Sequence, residues 1–171
     1  ASYLPGLALA LALLPGAETP NEAIVYMAHW DHLGHHTDEK NPDGSGDTIY
    51  NGAVDNATGI AAMLELARAY GKAPAPERSV LFLAVTAEEK GLLGSEYYAA
   101  NPLYPLGKTV AMINMDALGV GGPARNFTIS GNAQLELLDQ LISTAKQWDL
   151  VYSPDPKPEA GHFFRSDHFP L

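Results

Sequence analysis

Two adjacent carboxylates, Glu88 and Glu89 in "TAEEKGLLGS", stand between an apolar run and a glycine-bearing turn. Neighbouring like charges repel, so the pairing calls for cations among them and for two different tasks. His29 and Asp31 in "AHWDHLG" are separated by one residue, and in extended chain they point to one side. Asp31 can then accept the second ring N–H of an imidazole whose other nitrogen binds a metal. Asp55 in "GAVDNATG" and Asp116 in "INMDALG" add two more acids. Imidazole and carboxylate together suit zinc best, with manganese and cobalt as alternatives. A divalent cation lowers the pKa of its water to about 7, where a nearby carboxylate can take the proton. Adjacent side chains point different ways, so one glutamate can ligate while the other faces that water.

These residues need elements to bring them together. "AIVYMAH" and "SVLFLAVT" are continuous apolar runs, as expected of strands covered on both faces. "TVAMINM" has the same character, and "FTIS" is a weaker fourth candidate. The first closes on His29, the second on Glu88 and Glu89, and the third on Asp116. Between them, Ile60, Met63, Leu64, Ala67 and Tyr70 recur at helical spacing, with Gly71 as the stop. A second helix is expected from about Gly94–Ser95 to before Pro102. A third, "AQLELLDQLISTAKQW", sets Leu135, Leu138, Ile142 and Ala145 on one stripe behind Asn132 as N-cap. The alternation predicts an α/β fold, a three-layer αβα sandwich around a mostly parallel mixed sheet. In such sheets the site forms beyond the carboxyl ends of the strands. His29, Asp55, Glu88, Glu89 and Asp116 would all meet there.

Composition narrows the class. A chain of 171 residues, 46% hydrophobic and 18% charged, has the makings of one globular domain. Its formal charge of −10 repels phosphate backbones, which argues against nucleic-acid binding. With no cysteine, thiol nucleophiles and thiolate metal sites are excluded. The leading "LALALALLPGAE" has no basic residue before it and is too short to span a bilayer, so it reads as a buried strand ending at Pro15-Gly16. "HHTDEKNPDGSGDT" reads as a polar surface loop; its "DGSGD" lacks the ligand spacing of a calcium loop. His32, His35 and His36 are expected to face solvent with it.

The stretches "AHWDHLG", "IYNGAVDNATG", "TAEEKGLLGS", "INMDALG" and "FFRSDHF" together, in this order, resemble the co-catalytic di-zinc aminopeptidases of metallopeptidase family 28. The resemblance runs from about His29 to Phe169. It implies that His29, Asp55 and Asp116 hold a first zinc, with Asp55 bridging to a second zinc that Glu89 also binds. It implies Glu88 as general base and acid, passing a proton from the attacking water to the leaving amine, and Asp31 as the group orienting His29. It also implies a cis peptide at Asp55–Asn56, peptide substrates, and a secreted or periplasmic setting. Arg165 and Asp167 would line the substrate pocket or brace its wall, with a simple structural ion pair between them as the alternative.

One departure stands out. The family's last ligand to the second zinc is a histidine well downstream of the "RSDH" stretch, whereas this sequence stops at Leu171. On the resemblance, residues 1–171 are a single catalytic domain incomplete at its C-terminus, with the N-terminal boundary open. The second zinc site is then short of a ligand, and the chain itself is expected to hydrolyse aminoacyl-nitroanilides poorly. His168 and, less so, His162 are the substitutes in this span. The leading function is an aminopeptidase. A carboxypeptidase of the same family is the nearest alternative, and a non-catalytic receptor-like interaction domain is the alternative from another class. The intact "DN" in "GAVDNATG" speaks against the glutaminyl-cyclase branch.

Overall fold

The structure, a computed structural model, describes residues 10–35, 46–131 and 136–171. Strand β1 (Ala10–Leu14) turns into β2 (Thr19–His29), and β3 (Gly34–His35) pairs with β4 (Ile49–Tyr50) ahead of helix α1 (Ala57–Tyr70). Strand β5 (Arg78–Val85) leads to α2 (Leu93–Ala100) and β6 (Thr109–Asn114). Then come β7 (Asn126–Phe127), α3 (Glu136–Ala145) and β8 (Val151–Tyr152). Most of the polar loop expected after His35, His36 included, lies outside the described residues, as do Asn132 and Leu135 of the third helix.

The main sheet has the order β1-β5-β2-β6. Strands β5, β2 and β6 run parallel, and β1 joins antiparallel at the edge. The continuous apolar reading of β5 has a direct cause: every residue from Ser79 to Val85 is buried, because both faces are covered. Val25, Met27, Leu81, Leu83 and Val85 form one cluster with Tyr98 of α2. Val80, Phe82 and Ala84 form the other with Met63 of α1 and with Met115. Each large side chain so buried contributes about 1.5–3 kcal/mol. Tyr70 of α1 stands edge-on to Phe82 at 6.0 Å and meets the Tyr26 hydroxyl at 3.2 Å. The result is the expected mixed, mostly parallel α/β sheet with helices on both faces.

Three expectations need correction. The N-terminal run is a strand but not a buried one, since Leu11 and Leu13 are 47% and 45% exposed. Its register sets them opposite Leu83 and Leu81, so they extend the α2 face outward to an edge that the described helices leave uncovered. "FTIS" does not join the main sheet. Only Asn126 and Phe127 are in a strand, paired in parallel with β8 as a separate two-stranded sheet, and two residues of ladder bury too little surface to compete for the core. Leu64 is 63% exposed; Met63 beside it takes the inward position on α1.

The C-terminal segment is fastened under the sheet's carboxyl edge. Asp167 is fully buried and accepts a hydrogen bond from Ser95 Oγ of α2 at 2.7 Å. It forms no ion pair with Arg165. Burial pushes its carboxyl up to about 6, against the relief given by Ser95 and the nearby imidazole of His29. A carboxyl whose folded pKa lies above its unfolded value of 3.8 stabilises the fold when protonated. That contribution is whole below the unfolded value and is lost as pH rises through about 6. Urea unfolding between pH 4 and 8 should therefore show a loss of about 2–3 kcal/mol attributable to this group. In Asp167→Asn, which keeps an oxygen for Ser95, that part of the pH dependence should vanish.

Candidate metal centre

His29 ends β2 almost completely buried, at 1% exposure. Its Nδ1 lies 2.9 Å from the main-chain carbonyl oxygen of Asp31. A carbonyl can only accept, so the proton sits on Nδ1 and the Nε2 lone pair faces outward. What it faces is anionic: Asp55 Oδ1 at 3.1 Å and Asp116 Oδ1 at 3.3 Å. A lone pair opposed to two carboxylates is repulsive unless a cation or a proton lies between them. With a proton there, burial disfavours the charge, but the hydrogen bond and charge of Asp116 outweigh it and push His29 up to about 9. The Asp31 carboxylate does not take the role expected of it, because its Oδ1 is 4.0 Å from Nδ1. Its Oδ2 instead accepts from the Ala87 amide at 2.8 Å. One residue thus aims His29 with its carbonyl and braces the glutamate turn with its carboxylate.

That turn follows β5. Ala87, Gly91 and Leu92 all have positive φ, at 58°, 96° and 60°, which costs on the order of 1–2 kcal/mol at each non-glycine position. Glu88 and Glu89 occupy the short 3-10 turn between them. Burial pushes Glu88 up to about 7; His29 opposes this while the charges of Asp116, Asp167 and Glu89 add to it. A cation placed among these groups acts in the opposite direction.

Asp55 and Asp116 are brought together by a single buried asparagine. Asn56, at 2% exposure, accepts from Gly59 N at 3.0 Å as the cap of α1 and from Ala117 N at 3.2 Å. Its amide donates to the Met115 carbonyl at 2.9 Å. The peptide between Asp55 and Asn56 is cis. Gly59 permits the approach: a Cβ there would lie 2.2 Å from the Met115 oxygen. Asp116 is further held by Ser166, whose Oγ donates to Oδ2 at 2.6 Å and accepts from Asn114 Nδ2 at 2.6 Å.

The side chains form two groups with a common member. His29, Asp55 and Asp116 make one, and His32, Asp55 and Glu89 the other; within each, one donor atom per residue lies within 4.8 Å of the others. Asp55 Oδ1, His32 Nδ1 and Glu89 Oε1 are all buried without a hydrogen-bond partner. Buried polar atoms normally find partners, and imidazole with carboxylates is a donor set that suits zinc. The residues fit the ion.

His32, expected in solvent, is the least anticipated member, while His35 is exposed. His168 joins neither group and packs against Phe163 with ring centres 4.6 Å apart. Beside the two groups runs a cleft lined by Glu88, Glu96, Arg165, Phe164 and Phe169 among others. Arg165 lies within hydrogen-bond distance of the Ala160 carbonyl and of His162 Nδ1. Ser166 gave no signal in the sequence beyond its place between Arg165 and Asp167.

Comparison with known proteins shows the family and the fold. The family model for peptidase family M28 matches residues 10–171. A probable zinc metalloprotease of Pyrenophora tritici-repentis is 36% identical over 110 residues, covering 64% of this chain and 24% of that protein. The chain spans about a quarter of the length of the curated relatives it matches. Among solved structures, the aminopeptidase from Aneurinibacillus sp. strain AM-1 is similar with TM-score 0.66 and 23% identity, over 95% of this chain and 35% of that one. BSAP, a zinc aminopeptidase from Bacillus subtilis, is similar with TM-score 0.63 and 25% identity, over 95% and 36%.

Ser166→Ala should leave Asp116 in place but free to turn. Loss of such a supporting hydrogen bond weakens metal binding by about 10- to 100-fold. Competition against a chromophoric chelator is expected to show that drop for zinc added to the group of His29, Asp55 and Asp116. An unchanged affinity would make Ser166 a bystander.

Proposed function

The chain belongs to peptidase family M28, and on that premise we propose that it is the catalytic portion of a zinc-dependent exopeptidase releasing N-terminal residues from peptides. One observation carries the reading: two imidazole–carboxylate groups joined at Asp55 open onto a cleft that Glu88 also lines. Zinc bound there supplies a Lewis acid for the scissile carbonyl and an acidified water. His29, Asp55 and Asp116 would hold a first ion, and Glu89 with Asp55 would hold a second.

The remaining chemistry belongs to the protein. The carboxylate of Glu88 takes the proton of the attacking water and returns it to the nitrogen of the leaving amine. Its neighbour cannot share that task, since the Glu89 carboxylate is turned toward His32 at 2.7 Å. Asp31 keeps both parts in register, through its carbonyl on His29 and its carboxylate on the turn. The cleft wall is predominantly acidic, with Glu96 beyond the ligands, which favours a substrate's free ammonium over a free carboxylate. Its cation, Arg165, is engaged by Ala160 and His162. The charge of the cleft thus favours the aminopeptidase over the carboxypeptidase.

Two measurements on the full-length protein test this. Glu88→Gln should cut turnover by about 10²- to 10⁴-fold with zinc content unchanged; zinc lost along with activity would exchange the two glutamates' roles. In a hydrolysis panel, peptides with a free amine and an amidated C-terminus should be cleaved and N-acetylated ones should not. The reverse pattern would identify a carboxypeptidase.

A further inference from the structure

We infer that Asp167 is a positioning residue for the reaction: through Ser95 it holds the start of α2, and with it the turn that carries Glu88, in register with the metal-binding groups. The inference rests on the exopeptidase reading above, with Glu88 as the base, and deepens it. Asp167 joins neither metal-binding group and acts only through its neighbour.

The glutamate turn and the start of α2 are stitched into one piece. Leu92 N donates to the Glu88 carbonyl at 2.9 Å, Leu93 N to that of Ala87 at 3.2 Å, and Gly94 N to that of Thr86 at 3.0 Å. Gly94 lies so close to the end of β5 that a Cβ there would come 2.4 Å from the Thr86 oxygen. Where α2 sits therefore decides where Glu88 sits. Tyr98 packs α2 against the sheet, but apolar contact is non-directional and does not fix a helix along its own axis. A short hydrogen bond does.

Ser95 and Asp167 supply it. Both are fully buried, and Ser95 Oγ lies 2.7 Å from Asp167 Oδ1 and 3.0 Å from the Leu92 carbonyl oxygen. A serine has one hydroxyl proton for these two acceptors. With Asp167 ionised, that proton goes to the carboxylate. With Asp167 protonated, the carboxyl donates to Oγ and Oγ donates on to Leu92. In either state the C-terminal segment is tied to α2. Among the described residues no cation pairs with Asp167, and its Oδ2 is buried without a partner, so Ser95 is the contact through which it acts. The preceding residue, Ser166, donates to Asp116 at 2.6 Å. Two consecutive residues of one segment thus hold Asp116 and the turn bearing Glu88 at a set separation. A misplacement of about 1 Å at a reacting centre costs about 10²-fold in rate, so this tie bears on turnover.

The test is a split between kcat and KM in the full-length protein, measured on a peptide with a free amine and an amidated C-terminus. Asp167→Ala and Ser95→Ala should each lower kcat by about 10- to 100-fold, with KM and zinc content unchanged. Because both act through one contact, the double variant should lose no more than either single one. Asp167→Asn, which keeps an oxygen for Ser95, should recover most of the loss. Hydrogen exchange read by mass spectrometry should quicken across residues 86–95 in Asp167→Ala and stay as it was around His29. Ser95→Ala removes only a hydroxyl, so it carries the test if Asp167→Ala folds poorly. Unchanged kcat in the alanine variants would overturn the inference while leaving the exopeptidase reading standing. So would losses that multiply in the double variant, or zinc lost along with turnover, which would place the effect at Asp116. A full-length parent that cleaves no such peptide would overturn the exopeptidase reading itself, and the inference with it.

Discussion

The hydrogen bond from His29 Nδ1 to the Asp31 carbonyl determines what the rest of the site must do. Once the proton is committed there, the opposite nitrogen presents its lone pair to Asp55 and Asp116. Three electron-rich groups, a buried imidazole and two partly exposed carboxylates, are mutually repulsive, and only positive charge, as a proton or a metal cation, relieves them. The hydrophobic core behind His29 cannot supply it, and water penetrates poorly where the imidazole is 1% exposed. The demand for positive charge is therefore a property of the fold, written in main-chain geometry. It does not depend on a surplus of acids in the composition.

The parallel sheet meets that demand because its strands end together. Strands β2, β5 and β6 deliver His29, the glutamate turn and Asp116 to one edge, at neighbouring positions set by register. Asp55 comes from a helix start, which Asn56 caps through Gly59 and ties to the end of β6 through two hydrogen bonds, to Met115 and from Ala117. The strained turn at Ala87 to Leu92 separates two adjacent glutamates into different directions. Its conformational cost is small beside the energy of the core that sets its position.

Much of this was legible in the sequence, because a buried parallel strand announces both itself and its end. An unbroken apolar run followed at once by His29, by Glu88 and Glu89 or by Asp116 fixes where each side chain leaves the sheet. What was not legible depends on long-range pairing or on atoms every residue shares. Nothing local to Leu11 and Leu13 tells an edge strand from a central one. The main-chain carbonyl of Asp31 carries no sequence signature, so its carboxylate drew the attention. Ser166 is an ordinary serine until Asp116 is placed beside it. His32 depended on where the glutamate turn places Glu89, and a histidine next to a polar loop has no mark of that.

Asp55 belongs to both groups, and its side chain is 45% exposed where His29 is buried. It is the least enclosed of the donors and, on the two-ion reading, the one both ions would require. Whichever cation arrived first would fix that carboxylate's rotamer, so the second would meet a donor already oriented, while the like charges of the two ions would work against this gain. Occupancy would then be a joint quantity: by thermodynamic reciprocity, each ion would alter the other's affinity by the same factor.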